Sequence, residues 1–211
     1  MQKPLLIKYK SKGFSLIEVA IAIVIIGLVA SFTLKGKELI HTAKLNSVAE
    51  QVNSFKIAIQ MFVDKYGTLP GDCPNAKEMI DSGLENGSGN GTIKYANDAK
   101  KFWKHLVASG LLSVELINGY PASKLGGFYS VSSEIAGHEG TWIILNGGTS
   151  NNYNFKGIIS QKDAYHIDKK NDTGDPSTGE IRVLNAQSMR PIGKYDVKDK
   201  SKNCVIIFKI W

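Results

Sequence analysis

The most conspicuous hydrophobic pattern of the chain is a long apolar run near its N-terminus. From Phe14 to Leu34 every residue is uncharged except Glu18. About 20 apolar residues in a helix span the roughly 30 Å hydrocarbon core of a bilayer. The pattern therefore predicts a membrane-spanning helix over residues 14–34.

Beyond Lys35 the apolar residues recur at three- and four-residue steps, which is the spacing of one face of an amphipathic helix. The stripe comprises Leu39, Ala43, Val48, Val52, Phe55, Ile59, Phe62, Val63 and Tyr66. Gly67 and Pro70 then predict the end of the helix. A coiled-coil partner or the rest of the chain has to cover such a stripe. Systematic flanking charge pairs are missing, which favours packing against a sheet of the same chain.

The region from residue 67 to residue 211 alternates short β-like segments with turns. The predicted strands are 128–131, 141–145, 154–159, 181–184 and 205–211. A helix is expected after Asn97 and Asp98, and a short helix over 164–170 behind a capping box that begins at Ser160. Few helical segments separate the strands, so parallel crossovers are not expected. The predicted fold class is α+β, with a long N-terminal α-helical spine packed against a C-terminal antiparallel β-sheet.

Candidate chemistry in the second half of the chain is sparse. Asp168, Asp172 and Asp175 could supply oxygen ligands to calcium, but their loop lacks the EF-hand spacing, which favours an Asx-rich turn. His105 is expected on a partly exposed helix face without a role. The glycine-rich segment 86–92 is expected to be a flexible loop, not a phosphate cradle. Protease and hydrolase motifs are missing from the sequence, so no enzymatic activity, cofactor or metal site is predicted.

The basic charge is concentrated at the N-terminus. Four of the 26 basic residues lie within residues 1–13, which contain no acidic residue, and leaving them out lowers the net charge from +7 to +3. The remainder of the chain therefore gives little reason to expect a nucleic-acid partner.

The two cysteines, Cys73 and Cys204, are far apart in the sequence and form no C-x-x-C pair. A zinc or redox motif is therefore unsupported. Outside the cytoplasm they would form one disulfide, and in the cytosol they would be two buried thiols.

Glu18 decides between the interpretations of the apolar run. A secretory signal peptide has a shorter apolar stretch that ends at a small-residue cleavage site. A plain membrane anchor fits the hydropathy but leaves Glu18 unexplained, because a carboxylate at bilayer depth costs about 2.5–3.5 kcal/mol. A third interpretation comes from the residues that surround Glu18.

The sequence KGFSLIE, residues 12–18, resembles the processing site of type IV pilins and type II secretion pseudopilins. Members of that family have a basic leader that ends in glycine, then usually phenylalanine, and a glutamate at the fifth position of the mature chain. The resemblance implies that a prepilin peptidase cleaves after Gly13. It also implies that the new N-terminal residue, Phe14, is N-methylated.

The same resemblance implies a role for Glu18 in assembly. Cleavage creates a charged amine on Phe14, one helical turn from Glu18. The two charges can pair within one chain, or the amine of an incoming subunit can pair with Glu18 of a neighbour and set the axial register. For an isolated subunit, a Glu18 side chain that reaches the membrane surface is the alternative.

The resemblance also implies a domain organisation and a location. The expected segments are a leader at 1–13, a transmembrane or filament-core helix at 14–34, the amphipathic half of the spine at 35–66 and a globular head at 67–211. The protein would be a single-pass protein of the bacterial inner membrane with its head in the periplasm, and part of a filament after assembly. There Cys73 and Cys204 would form a disulfide, which closes about 130 residues and stabilises by up to roughly 5 kcal/mol.

The implied function is that of a structural subunit of a type IV pilus or a type II secretion pseudopilus. Its expected partners are its own copies, other pilin-like subunits, prepilin peptidase, the inner-membrane assembly platform and the membrane, whereas nucleic acid is not expected. The alternative is a minor pilin that acts as a tip adhesin or a DNA-uptake module. The lysines at positions 194, 198, 200 and 202 permit weak phosphate contact, and salt-dependent DNA binding by the soluble domain would distinguish that alternative.

Overall fold

The structure of the chain is a computed structural model. Its described residues are 13–94, 98–148 and 155–210, with the side chain of Leu34 left out. Parts of four predictions lie outside these residues, namely those for leader residues 1–12, Asn97, Asn154 and Trp211. The described chain forms two compact units, one up to Thr42 and one from Ala43 on.

Helix α1 spans Leu16–Tyr66 as a single element, as the sequence pattern predicts. It ends at the predicted glycine. Gly67 has a φ of 71°, and its N–H donates to the Val63 carbonyl at 2.8 Å. This left-handed residue closes the last turn, and glycine adopts the conformation without a Cβ penalty.

Most of the apolar stripe of α1 is buried from Val48 onward, and Leu45, which was not part of the predicted stripe, is buried as well. The buried members of the stripe are Val48, Val52, Phe55, Ile59 and Phe62, whereas Val63 and Tyr66 are half-buried. Leu39, which belongs to the predicted stripe, is 71% exposed. The pattern placed the start of the buried face too early, because burial requires a facing partner as well as helical spacing.

The remaining helices and strands all lie in the second unit. The helices are α2 (Ala76–Met79), α3 (Ala99–Ala108) and α4 (Gln161–Asn171). The strands are β1 (Leu116–Ile117), β2 (Tyr120–Pro121), β3 (Phe128–Ser132), β4 (Trp142–Asn146), β5 (Ile181–Asn185) and β6 (Cys204–Lys209). Strands β1 and β2 pair with each other, and the other four form an antiparallel sheet in the order β3-β4-β6-β5. The predicted α+β class is confirmed.

The predicted strand at 154–159 is wrong in its described part. Ile159 makes one isolated bridge, to Cys204, and the residues before it form no ladder. The pairing cannot extend along β6, because β4 occupies that edge of β6 from Ile206 on. The β1–β2 hairpin was not predicted at all, since two-residue strands leave no period-2 pattern to detect.

Both faces of the four-stranded sheet are buried. The face toward α1 and α3 forms a helix-side core, which includes Val52, Phe55, Ile59, Phe102, Trp103, Ile143, Leu145, Ile206 and Phe208. The opposite face forms an outer core of Ile135, Trp142, Ile144, Phe155, Leu184, Ala186, Val205 and Ile207. Alternate residues of each strand therefore enter different cores. This arrangement confirms packing of the long helix on the sheet.

The outer edge of β5 has no unpaired donors among Ile181, Val183 and Asn185. Their acceptors are the Asp172 carboxylate and the carbonyl oxygens of Pro176 and Arg190, at 2.8, 3.3 and 3.0 Å. Loops of the same chain thus cover the backbone of this edge strand.

His105 is fully buried, so the expectation of a partly exposed residue is wrong. Its Nδ1 accepts from the Gly71 N–H, and its Nε2 lies 2.9 Å from the Glu85 carbonyl oxygen. A carbonyl can only accept, so Nε2 carries the proton and the ring is neutral. His105 thereby joins α3 to two loops. Burial lowers its pKa from the ordinary value.

The glycine-rich segment 86–92 is held in place, contrary to the expectation of a flexible loop. The carboxylate of Asp72, itself 3% exposed, accepts from the Ser88 hydroxyl at 3.0 Å and from the Asn90 and Gly91 N–H groups at 3.1 and 2.7 Å. A Cβ on Gly87 would lie 2.2 Å from the backbone of Asp72. Close backbone approach therefore explains this glycine.

The two predicted helix starts behave differently. Ser160 caps α4, because its Oγ accepts from the Asp163 N–H at 3.2 Å. Asp98 precedes α3 but makes no side-chain cap. Its carboxylate instead accepts from the Lys94 N–H at 3.1 Å.

We predict that His105→Phe reduces the pH dependence of stability. Because the folded-state pKa of His105 is lowered, the stability that its neutral form contributes is fully present above about pH 6.5 and is lost as the pH falls toward the folded-state pKa. His138, whose pKa burial and the Arg182 charge also lower, adds to the same loss. His105→Phe leaves Gly71 N–H and the Glu85 carbonyl unpaired, at a cost of about 1–3 kcal/mol near pH 7.5.

Urea unfolding of the detergent-solubilised chain, followed by tryptophan fluorescence between pH 7.5 and 5.5, measures both effects. His166→Gln is the control, because His166 is an exposed histidine on α4. A pH dependence in His105→Phe as steep as in the parent chain would contradict the assignment.

Candidate functional site

The start of α1 is organised by two reciprocal hydrogen bonds between Ser15 and Glu18. The Ser15 N–H donates to Glu18 Oε2 at 2.8 Å, and the Glu18 N–H donates to Ser15 Oγ at 3.4 Å. The Ser15 carbonyl then accepts the first helical bond, from the Val19 N–H at 3.2 Å. This is a capping box, in which serine and glutamate three residues apart satisfy backbone donors at the helix N-terminus.

The capping box places Gly13 and Phe14 outside the helix. Both residues lie in non-helical chain directly before Ser15. Phe14 is 86% exposed, and no atom of the described residues lies within 4 Å of where a Cβ on Gly13 would be. The peptide bond between them is therefore in open, irregular backbone, the conformation that proteases accept most readily.

Sequence reasoning brought Gly13, Phe14 and Glu18 together but gave Ser15 no role. The missed signal was local, since S-x-x-E ahead of an apolar run is itself a helix-start signature. The charge partner that the sequence predicted for Glu18 was the Phe14 amine, which exists only after cleavage. In the structure it already has a partner in the uncleaved chain.

The first unit exposes the apolar side chains of α1 instead of burying them. Exposed residues include Ile17, Val19, Ile21, Ile23, Val24, Ile25, Ile26, Leu28, Val29 and Phe32. Among the described residues, α1 is the helix that is long and apolar enough to cross a membrane. The Ser31 and Thr33 hydroxyls donate to helix carbonyls four residues back, at 2.9 and 2.8 Å. The polar groups of this stretch therefore do not need water.

Cys73 and Cys204 are both buried in the helix-side core, and each is a thiol in the structure. Cys204 Sγ lies 3.1 Å from Asn203 Oδ1. Burial, with a smaller contribution from the Asp199 charge, raises the pKa of the Cys204 thiol to about 11. Neither sulfur belongs to a metal-ligand set in the described part of the chain.

Asp168, Asp172 and Asp175 are engaged in fixing their loop. Asp168 accepts from the Gly174 N–H at 3.0 Å and from the Tyr195 hydroxyl at 2.8 Å. Asp172 accepts from the N–H groups that open β5, and Asp175 accepts from the Ser177 N–H at 2.9 Å. The arrangement has the form of the Asx-rich turn, and the described residues hold no group of three metal-ligating side chains.

Comparison with known families identifies the start of α1 as a recognised motif. Residues 8–34 match the family model of the prokaryotic N-terminal methylation motif, which is the signature of type IV pilins and pseudopilins. The matched range contains Gly13, Phe14 and Glu18. No curated protein and no solved structure matches the chain significantly. The motif indicates a type IV pilin-like or pseudopilin precursor, which confirms the family predicted from residues 12–18. It implies processing by prepilin peptidase and assembly with other pilin subunits.

We predict that Ser15→Ala frays the start of α1. The substitution removes the acceptor of the Glu18 N–H, and loss of a serine N-cap costs about 1 kcal/mol. Backbone amides over the first turn should then exchange with solvent about fivefold faster, measured by hydrogen exchange on the detergent-solubilised chain. Ser31→Ala is the control, because its hydroxyl is bonded within the helix and caps nothing. Equal exchange rates in Ser15→Ala and the parent chain would show that the box does not hold the helix start.

Proposed function

We propose that this chain is the precursor of a structural subunit of a type IV pilus or a type II secretion pseudopilus. The observation that carries the proposal is the exposed Gly13–Phe14 peptide directly before a capped, solvent-exposed apolar helix. A peptidase requires the first feature, and lengthwise packing of helices in a filament requires the second. The matched methylation motif covers the same residues.

The first step is removal of residues 1–13. Cleavage after Gly13 produces an amine on Phe14, which precedes the capped Ser15 N–H. Glu18 Oε2 already lies 2.8 Å from that N–H. The new positive charge therefore arises beside a carboxylate that the capping box holds at the helix start, and the attraction between opposite charges is strongest where water is excluded.

The second step is assembly. In the membrane the amine and Glu18 pair within one chain, and in a filament the amine of an incoming subunit pairs with Glu18 of its neighbour. Each arrangement gives the carboxylate a positive partner at hydrocarbon depth, where an unpaired charge is costly. A charge pair at a fixed helical position also sets the axial register between subunits.

The remaining assignments follow the same scheme. Residues 14–34 form the filament-core helix in the inner membrane, residues 35–66 continue the spine, and residues 67–211 form the periplasmic head that an assembly platform receives. In the periplasm Cys73 and Cys204 would form a disulfide by thiol–disulfide exchange, in which an oxidising disulfide partner takes up the two electrons and two protons and leaves as a dithiol. The disulfide would link the chain just beyond α1 to the first residue of β6, an inner strand of the four-stranded sheet.

We predict that intact-mass analysis of the membrane-extracted protein from its host finds a chain that begins at Phe14 and is heavier by one methyl group. Without reductant the same chain should be lighter by two hydrogen atoms than after reduction, because one disulfide is present. A chain that retains Met1 would refute the processing step. A mass that reduction leaves unchanged would refute the disulfide alone.

We predict that Glu18→Ala and Glu18→Gln are both cleaved but assemble poorly. Comparing the two variants separates the capping role of Glu18 from the role of its charge. Glutamine retains an oxygen that can accept from the Ser15 N–H and loses only the charge. Leader removal is measured by mass and assembly by the yield of sheared filaments. Normal filament yield in Glu18→Gln would show that capping suffices and that the charge pair is not needed.

A further inference from the structure

A cavity of about 530 Å³ opens beside α4, far along the chain from the processing site. Its lining consists of Tyr165, Gly174, Asp175, Pro176, Gly193, Lys194, Tyr195 and Val197. The volume lies within the range of small-molecule sites, which are concave and mostly apolar with a few polar groups. None of the steps in filament assembly uses this cavity.

Hydrogen bonds behind the cavity fix its walls. The buried Asp168 accepts from the Tyr195 hydroxyl at 2.8 Å and from the Gly174 N–H at 3.0 Å, so one carboxylate holds both sides. The Asp196 N–H donates to Gln161 Oε1 at 2.8 Å and anchors the segment after Tyr195 to the start of α4. A site whose walls are held in this way loses little conformational entropy when a ligand binds.

Two tyrosine rings, together with Pro176 and Val197, contribute the apolar part of the cavity lining. The centroids of Tyr165 and Tyr195 are 5.3 Å apart, and their planes are tilted by 59°. The face of an aromatic ring carries partial negative charge, so it attracts the weakly positive C–H groups of a ligand. The tilted pair suits a compact ring-shaped ligand with one C–H-rich face.

One acid and one base provide the polar groups at the rim. Asp175 Oδ1 is occupied by the N–H and hydroxyl of Ser177, which leaves Oδ2 to accept from a ligand. These bonds hold the pKa of Asp175 below its ordinary value, so it remains a carboxylate. Lys194 supplies donors on the other segment.

The balance of charge limits the class of ligand. Asp175 repels an anion and Lys194 repels a cation, and the Lys169 ammonium group already lies over the Tyr165 ring, 5.4 Å from its centroid. A purely apolar ligand would make no hydrogen bond to Asp175 Oδ2 or to the Lys194 ammonium group, both of which are exposed, and so would use neither rim charge. A neutral ligand with hydroxyl groups around an apolar face satisfies all of these conditions.

We propose that this cavity binds a neutral pyranose sugar, with the C–H face of the ring against Tyr165 and Tyr195 and its hydroxyl groups on Asp175 and Lys194. The head would then carry a carbohydrate site of its own. The proposal does not depend on filament assembly, and either proposal can fail while the other holds.

The test is a titration of the detergent-solubilised chain, carrying ¹³C-labelled tyrosine rings, with glucose, galactose, mannose and N-acetylglucosamine. With at least one of these sugars, the ring signals of Tyr165 and Tyr195 should shift and saturate. Tyr66, Tyr120 and Tyr129 lie outside the cavity lining, so their signals should stay in place. Unsaturated or absent shifts with all four sugars would overturn the proposal.

Variants locate the contact. Tyr165→Ala should weaken binding about tenfold by removing one aromatic face, and Asp175→Asn and Lys194→Met should each weaken it by removing a rim charge. Lys198→Ala is the matched control, an exposed lysine of the same segment that does not line the cavity, and it should bind like the parent chain. Unmoved Tyr129 signals report that each variant has folded.

Equal affinity in Tyr165→Ala and the parent chain would refute the aromatic contact. Tighter binding of N-acetylneuraminic acid than of the four neutral sugars would refute the charge argument.

Discussion

A carboxylate at the beginning of an apolar helix needs donors close to it, because an unsatisfied charge next to hydrocarbon is costly. Glu18 obtains its donor from the backbone of Ser15, and Ser15 in return accepts from the backbone of Glu18. The same exchange determines where α1 begins, and therefore which peptide bonds precede it in irregular chain. Charge compensation, helix boundary and the exposure of Gly13 and Phe14 are thus consequences of one local pair.

Helix α1 passes through two different environments along its length. Up to Thr42 its apolar side chains face outward, whereas from Leu45 on they form part of the helix-side core. Phe55 illustrates the second environment, since its ring packs edge-on against Trp103 at 4.9 Å and Tyr129 at 5.1 Å. The Lys56–Glu180 ion pair at 2.8 Å is partly exposed and contributes little beside such contacts.

Features set by sequence-local patterns could be predicted, and features set by distant contacts could not. The three- and four-residue spacing of apolar residues predicted α1, and Gly67 predicted its end. Short β-like segments between turns predicted four strands of the sheet. The burial of His105 depends on Gly71 and Glu85, which lie 34 and 20 residues away in the sequence. The local spacing of residues around His105 cannot predict these contacts. Asp72 likewise orders a loop 16 to 19 residues downstream. At the candidate site the role of Ser15 was missed, although its signal was present in the sequence, and the processing and assembly roles of Gly13, Phe14 and Glu18 stay predictions.

The covered edge of β5 has a consequence for chains held at high local concentration. An exposed edge strand is a template on which a second chain can add a strand, and this is a common route to irreversible aggregation. Here the backbone donors of Ile181, Val183 and Asn185 are bonded to the protein's own loops. Crowded copies therefore cannot propagate a shared sheet through this edge.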